Sequence, residues 1–255
     1  MSSCSLAFPL PSSLKDQLPL REPHADICLT TYFLPTDAPQ MVEILNKKDV
    51  SWNLTGPPWP YTLQMAEGWI EQAEERADSG AERRGPIVIR TINSLSSPCP
   101  KFLGTICIVP NPFTHVQDLS LRAKRVAENM AKKDDEKSWA VGYYLDPAWN
   151  GKGVMSTVLE VVLEYYVHQE NLDPRRVIGH AFADNIGSIK VMMKNNFQPL
   201  YLSRSTVPAS ESKPGQSSDM CYLAWVPDKH IGYDESLWTE GVLESFRFPT
   251  LSSGQ

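Results

Sequence analysis

A single mixed α/β (α+β) domain is the fold this sequence predicts, and three observations predict it. Strand-like and helix-like runs alternate through the middle of the chain, strand-like runs pair as hairpins toward both ends, and no segment repeats another. A chain of 255 residues, 42% apolar and 21% charged, has the composition of an ordinary globular protein and is long enough to bury a substantial core. No apolar run approaches the roughly 20 residues of a membrane-spanning helix. The opening residues SSCSLAFPLPSSLK carry no basic leader, and Pro9 and Pro11 break their apolar stretch, so no secretory signal is expected.

Taken in order, residues 1–24 are rich in Pro and Ser and read as a flexible arm; the domain proper spans 25–227, and 228–255 form an extension. ICLTTYFL is strand-like. Asp37 is placed to cap a helix over 38–48, with Met41, Ile44 and Leu45 at helical spacing. GPPWPYT (56–62) is a rigid aromatic loop, since its three prolines exclude regular structure. After Thr62, Met65, Trp69 and Ile70 mark one face of a helix. PIVIRTI and FLGTICIV flank a Ser/Pro-rich turn at 93–100 and read as antiparallel strands. The charged insertion 116–137 has few large apolar residues and reads as an exposed helix or a mobile flap. A strand at 139–145, a long apolar helix at 154–167, a strand at 177–183 and a short helix at 186–195 follow. LYLSRSTV and MCYLAWV form a last hairpin around the polar loop 208–218. Trp238, Leu243 and Phe246 in the tail suit a docked helix.

The turn between the strand at 139–145 and the next helix carries the first chemical signal. Gly151 and Gly153 stand where a helix begins, and unpaired helix-start N–H groups with the helix dipole suit a phosphate or pyrophosphate. Plain turn chemistry is the alternative for two glycines standing alone. Other classes lose ground. The five cysteines (4, 28, 99, 107 and 221) form no CxxC pair and are odd in number, which fits reduced thiols and a cytoplasmic location; Cys107 and Cys221 read as core thiols. The five histidines lack metal-ligand spacing, so no metal is expected. A net charge of −6 argues against a nucleic-acid surface and favours cationic partners; no membrane association is expected, and the residues fix no oligomeric state.

GYYLDPAWNGKGVM (142–155) resembles the coenzyme-A loop of the GNAT acetyltransferase superfamily, and in particular its RimJ/RimL-like branch. GPPWPYTLQMAEGWI is similar to that branch's Pro-Tyr loop and following helix, FLGTICIV to its third strand, and DNIGSIKVMMKNNF to its Asn-x-x-Ser and Lys-x-x-Phe segment. The four matches fall in the expected order and cover about 26–226. The resemblance implies a central, mostly antiparallel twisted sheet, splayed at two neighbouring parallel strands and flanked by helices. Acetyl-CoA would lie in the splay as cosubstrate, its pantetheine arm pairing with the backbone of Tyr143, Tyr144 and Leu145. Its pyrophosphate would rest on the amides of Asn150, Gly151, Lys152, Gly153, Val154 and Met155. Two loop positions depart from the usual pattern, Asn150 for Gln or Arg and Met155 for a small residue, yet neither removes an amide. Asn185 would contact the coenzyme and Ser188 would lie near the thioester sulfur; a bare Asn-x-x-Ser otherwise reads as a helix cap. Phe197 is assigned to the core and Lys194 to a solvated surface.

Acetyl transfer to an amine needs a neutral nucleophile, a donor for the oxyanion and a proton or dipole for the departing thiolate. A backbone N–H near Tyr144 or Leu145 would serve the oxyanion. The superfamily's tyrosine acid falls at Met192, which cannot donate, leaving Ser188 or water for the thiolate. The branch's glutamate base falls at Ala140. His180, which shares a strand face with Ile178 and Phe182, is the candidate substitute, with a hydrogen-bonded strand histidine as the plainer reading. Asp184 is a further candidate base that suits a helix cap better. Trp59 and Tyr61 would line the acceptor pocket or anchor their loop as buried aromatics. The expected reaction is N-acetylation of a primary amine, a small molecule or a protein N-terminus, by direct attack in a ternary complex. A catalytically silent acyl-CoA-binding protein is the alternative, and a longer acyl donor a third reading. A negative chain and an aromatic loop point to a cationic acceptor with an apolar body, with 116–137 as a lid over it.

Overall fold

The computed structural model describes residues 17–78, 86–92, 100–204, 212–216 and 219–227. The docked-helix expectation for the tail lies outside them, as do the turn at 93–99 and residues 1–16 of the arm.

Among the described residues eight strands form one sheet: β1 (Leu18–Pro19), β2 (Ile27–Thr30), β3 (Ile87–Thr91), β4 (Phe102–Pro110), β5 (Trp139–Leu145), β6 (Val177–Phe182), β7 (Phe197–Ser203) and β8 (Met220–Trp225). Their order is β1-β2-β3-β4-β5-β6-β8-β7, and every neighbouring pair is antiparallel except β5 with β6. That parallel pair is short. It registers Trp139 with Val177, Ala140 with Ile178 and Val141 with Gly179, and then the strands part. β5 continues to Leu145 on its β4 side alone. Close pairing there depends on Gly104, where any Cβ would overlap the Tyr144 carbonyl.

Helices cover both faces. α5 (Val154–Glu170) and α6 (Ile186–Lys194) lie on one, packing Val158, Leu159, Val162, Ile189 and Met192 against Ile106, Val141 and Leu223. α5 buries residues almost all round, as befits a helix sunk into a core. On the other face α1 (Asp37–Leu45), the one-turn α2 (Lys48–Ser51) and α3 (Leu63–Asp78) enclose Met41, Ile44, Leu45, Tyr61, Ala66, Val88 and Phe102.

Three expectations are corrected, and one left open between two readings is resolved. The end of the arm is tied down: β1 pairs with β2, Leu20 is buried, and Arg21 bonds Glu164 of α5 at 3.0 Å. Asp37 does not cap α1. It is fully buried and takes a bidentate pair from Arg90 of β3 at 3.1 and 3.0 Å, while Arg90 also bonds Thr30 Oγ1 and the Tyr32 carbonyl. Met65 is exposed, because α3 seats its small Ala66 and Ala73 against the core, with Trp69 and Ile70 partly buried. The insertion is a helix rather than a flap. α4 (Leu119–Ala131) is capped by Asp118, whose Oδ1 accepts from Leu121 N at 2.9 Å, and its buried Asn129 exchanges hydrogen bonds with the Ser138 backbone at 2.8 and 2.9 Å. Among the described residues no helix is long and apolar enough to cross a membrane.

Candidate active site

Where β5 and β6 part, a cavity of about 440 Å³ opens through the sheet. Its geometry follows from strand alternation. Asp146 N donates to Leu103 O of β4 at 2.7 Å, so the peptide groups of Tyr144 and Gly142 also face β4, and those of Tyr143 and Leu145 face the split. With no strand beside them there, Tyr143 and Leu145 offer an open edge. Tyr144 N–H belongs to the ladder, which corrects the expectation that it could serve an oxyanion; Leu145 is the neighbour whose amide faces the gap. Side chains alternate likewise: Tyr143 packs with the α5/α6 core and Tyr144 with the α1/α3 core, beside Phe102. Burial pushes the Tyr144 phenol far above its usual range, against a lowering from Thr105 beside it, and its hydroxyl makes no well-directed hydrogen bond.

The turn into α5 has the backbone geometry that suits an anion. Gly151 (φ 75°) and Gly153 (φ 85°) hold left-handed conformations, and Gly153 is the N-cap residue, so no side chain caps the helix. Among the described residues the amides of Gly151, Lys152 and Gly153 have no backbone acceptor, and the first-turn amides of Val154 and Met155 have none within a helix. Asn150 is the exception. Its amide donates to Pro147 O at 3.0 Å, closing the 3-10 turn at 147–149, and so is already occupied. That turn is anchored by Asp146, 1% exposed, whose carboxylate takes Lys47 at 2.8 Å and Lys101 at 3.3 Å. Burial works against its ionisation, but the hydrogen bonds from Lys47, Ala148 N and Lys101 hold its pKa below the ordinary value. Asn150, Gly151, Gly153, Val154 and Met155 line the cavity; Lys152 does not, and its ammonium lies 5.1 Å over the Trp149 ring.

α6 supplies the opposite wall through Asn185, Gly187, Ser188, Lys190, Val191 and Lys194. Asn185 caps the helix, accepting from Ser188 N at 3.1 Å, so the capping reading holds and Asn185 also lines the cavity. Ser188 Oγ lies 2.8 Å from Tyr143 Oη. Met192, where the resemblance would imply a tyrosine, is 1% exposed with its thioether beneath Gly179, turned away from the cavity. Lys194, expected on a solvated surface, stands on the cavity rim with Lys190, which the sequence reading missed; the spacing 187, 190, 191, 194 marks that helix face.

His180 also lines the cavity, from the sheet face opposite Tyr143 and Ser188. The ring opens partly on the cavity, yet its Nδ1 is sealed and has no hydrogen-bond partner, and burial pushes its pKa down to about 4. Such an imidazole is neutral at pH 7 and a weak base. Asp184, the further candidate, does not line the cavity.

Trp59 and Tyr61 do not line the cavity either. Tyr61 is 7% exposed, its hydroxyl donating to the Met65 carbonyl and its amide donating to Asn46 Oδ1, while Trp59 packs edge-on to Trp52; both anchor their loop. Asp49, Val50, Asn53, Leu54 and Thr55 line the cavity instead, a stretch with no motif to betray it. A strap at 212–216 secures it: Lys213, 2% exposed, donates to Leu54 O at 2.7 Å, and Gln216 bonds the carbonyls of Trp52 and Leu54. Nothing from 116–137 reaches the cavity, so α4 is not its lid. Cys28 and Cys221 are buried free thiols and Cys107 is half-buried; among the described residues no cluster of three His, Cys, Asp or Glu is placed to hold a metal.

A mixed sheet split at its parallel pair, with an uncapped helix start beside the split, defines a class of α/β fold whose geometry suits an anion-tailed ligand. Residues 27–198, well over half of the chain, match the acetyltransferase (GNAT) domain, and the chain belongs to that family. The probable N-acetyltransferase YjcK of Bacillus subtilis (strain 168) is 34% identical over 67 residues, 26% of this chain and 36% of YjcK, so the match spans about a third of that relative. RimL, a ribosomal L7/L12 alpha-N-protein acetyltransferase solved with coenzyme A, aligns over 84% of this chain and 100% of its own, with TM-score 0.55 and 15% identity. Mycobacterium smegmatis RimJ, solved with a CoA-disulfide, aligns over 82% of this chain and 85% of its own, with TM-score 0.53 and 16% identity. At such identities the likeness to both solved structures is one of fold.

Proposed function

We propose that this protein is an acetyl-CoA-dependent N-acetyltransferase of the RimJ/RimL-like branch that acts on a primary amine, a small molecule or a peptide N-terminus, by direct attack in a ternary complex. The observation that carries this reading is the uncapped start of α5 beside the split: free amides from Gly151 to Met155 and a helix dipole, facing a strand edge that lacks a partner. The diphosphate of acetyl-CoA would bind those amides, with Lys190 and Lys194 adding positive charge. The pantetheine amides would pair with Tyr143 and Leu145 as an added strand does. Leu145 N–H would receive the oxyanion and Ser188 Oγ would face the thiolate. The acceptor would enter past α2, where Asp49 is the one carboxylate among the lining residues and suits a cationic amine. No metal is needed for this chemistry, and the buried free thiols suit a reducing, cytoplasmic setting.

The silent acyl-CoA-binding reading draws on one observation: Ala140 and Met192 remove two catalytic groups, and His180, with a pKa of about 4, is a poor proton acceptor. Incubating the protein with acetyl-CoA and a panel of amines while following free thiol separates the two. The transferase reading expects thiol release with at least one amine, and initial-rate lines that intersect because both substrates bind before CoA leaves. Acetyl-CoA binding without turnover across the panel would favour the silent reading, and no binding at all would remove both.

A further inference from the structure

The leaving thiolate poses a problem that the α6 sequence does not solve, because the position where the family resemblance implies a tyrosine acid holds Met192, buried away from the cavity. A phenol nevertheless stands at the reaction end of the cavity, brought from β5. Tyr143 Oη lies 2.8 Å from Ser188 Oγ and 3.2 Å from the Ser188 carbonyl, with the ring packed against the α5/α6 core. We propose that Tyr143 is a positioning residue, whose hydroxyl orients and polarises Ser188 Oγ toward the departing thiolate in place of the hydroxyl absent at Met192. This rests on the acetyl-CoA reading above.

The two acceptors open to Tyr143 make this a two-position device. At rest, Tyr143 donates to the Ser188 carbonyl and Ser188 Oγ–H donates to Tyr143 Oη. As the new N–C bond forms and the C–S bond breaks, its electron pair passes to sulfur. Tyr143 then turns its proton to Ser188 Oγ, which frees Oγ–H to point at the sulfur. Two hydroxyls rotate and neither ionises. Burial pushes the Tyr143 phenol well above its usual range, a shift that its bond to Ser188 only partly opposes, so Tyr143 remains a proton-bearing donor at any working pH. The surplus proton of the nitrogen leaves to solvent, and the thiolate is finally protonated from solvent. A chain of two hydroxyls polarises more strongly than a lone serine. Asn185, capping Ser188 N at 3.1 Å, holds the serine in register.

The test needs no knowledge of the acceptor. Free CoA carries an ionisable thiol, with the ordinary thiol value near about 8.5, and acetyl-CoA has none. If the hydroxyl pair stabilises a bound thiolate, CoA must tighten relative to acetyl-CoA as pH rises from 6.5 to 9.5, by about tenfold, the worth of one hydrogen bond to a charged group. Titration calorimetry at each pH reads this ratio. Ser188→Ala and Tyr143→Phe should each shrink the tightening to about threefold or less and the double variant no further, each variant's CoA to acetyl-CoA ratio at pH 6.5 being its own reference and circular dichroism the fold control. Tyr143→Leu repeats the test with a second hydroxyl-free side chain. Full tightening retained in Tyr143→Phe, additive losses in the double variant, or no tightening in the wild type would each overturn the proposal. Failure to bind either compound would overturn the acetyl-CoA reading itself.

Discussion

His180 illustrates how burial decides what a residue can do. Its imidazole stands on β6 between Ile178 and Phe182, faces the cavity, and has an Nδ1 with no partner. The unfolded chain binds a proton there below about pH 6.5, the ordinary histidine value, whereas the native pKa is about 4. A group whose native pKa is depressed in this way favours the neutral form in the fold, so stability falls as pH drops through the window from 6.5 to 4 and is constant above it. The full loss is about 3 kcal/mol at 1.36 kcal/mol per unit. Urea unfolding at pH 7 and pH 4.5 should therefore show His180→Leu losing less stability than the wild type between the two. Equal losses would mean that the ring is wetter than its surroundings suggest. The same depression makes His180 a poor acceptor for an ammonium proton, a point that no motif reveals, because strand spacing shows only that a histidine shares a face with two apolar residues. Tyr143 and Ser188 were similarly illegible as a pair, since 45 residues separate them.

Elements show which parts of this fold are local and which are not. β5, α5, β6 and α6 were legible in the sequence because each is written in its own periodicity and separated by a glycine turn or an Asn cap. α1 was legible as a helix, but Asp37 was not, because its partner Arg90 lies 53 residues away on β3. Both are fully buried, and removing one member of such a pair strands a charge. Asp37→Ala should cost about 3–5 kcal/mol, and the paired apolar replacement Asp37→Leu with Arg90→Met should recover most of it, read as denaturant midpoints at constant slope. A single variant no worse than about 1 kcal/mol would show the pair to be dispensable. At the start of α5 the missing side-chain cap is the feature on which the proposed function rests. Gly153→Ala should cost about 1 kcal/mol of stability, since a Cβ at φ 85° is strained, and should change acetyl-CoA affinity little. Gly153→Asp adds a carboxylate where the diphosphate would lie and should weaken acetyl-CoA binding at least about tenfold. Equal affinities for the two variants would place the diphosphate elsewhere.

At the scale of the whole molecule the proposed function divides labour between two faces of the split sheet. The face proposed for the coenzyme, α5 and α6 over Tyr143, carried the recognisable motifs, because a backbone anion site needs glycines in a fixed order. The face proposed for the acceptor carried none. Its wall runs from Asp49 to Thr55 and is held by Lys213 and Gln216 through main-chain carbonyls, contacts that any side-chain pattern leaves unwritten. Trp59 and Tyr61, the aromatic residues that drew attention, hold the loop instead. The outcome is a cavity with opposite charge at its two sides: Lys190 and Lys194 on the α6 wall, and Asp49, an exposed side chain with no ion-pair partner among the described residues, at the α2 wall. If this polarity sorts the substrates, Asp49→Asn should raise KM for a dicationic amine about two- to fivefold in 50 mM salt, the range of an exposed ion pair, and leave KM for acetyl-CoA unchanged. For a neutral-bodied monoamine the rise should be smaller, and about 0.5 M salt should abolish the difference between variant and wild type. Lys194→Gln should do the reverse, raising KM for acetyl-CoA alone. If Asp49→Asn instead weakened acetyl-CoA, or lowered kcat with every amine alike, α2 would belong to the coenzyme's side of the split and the acceptor would have to enter from elsewhere.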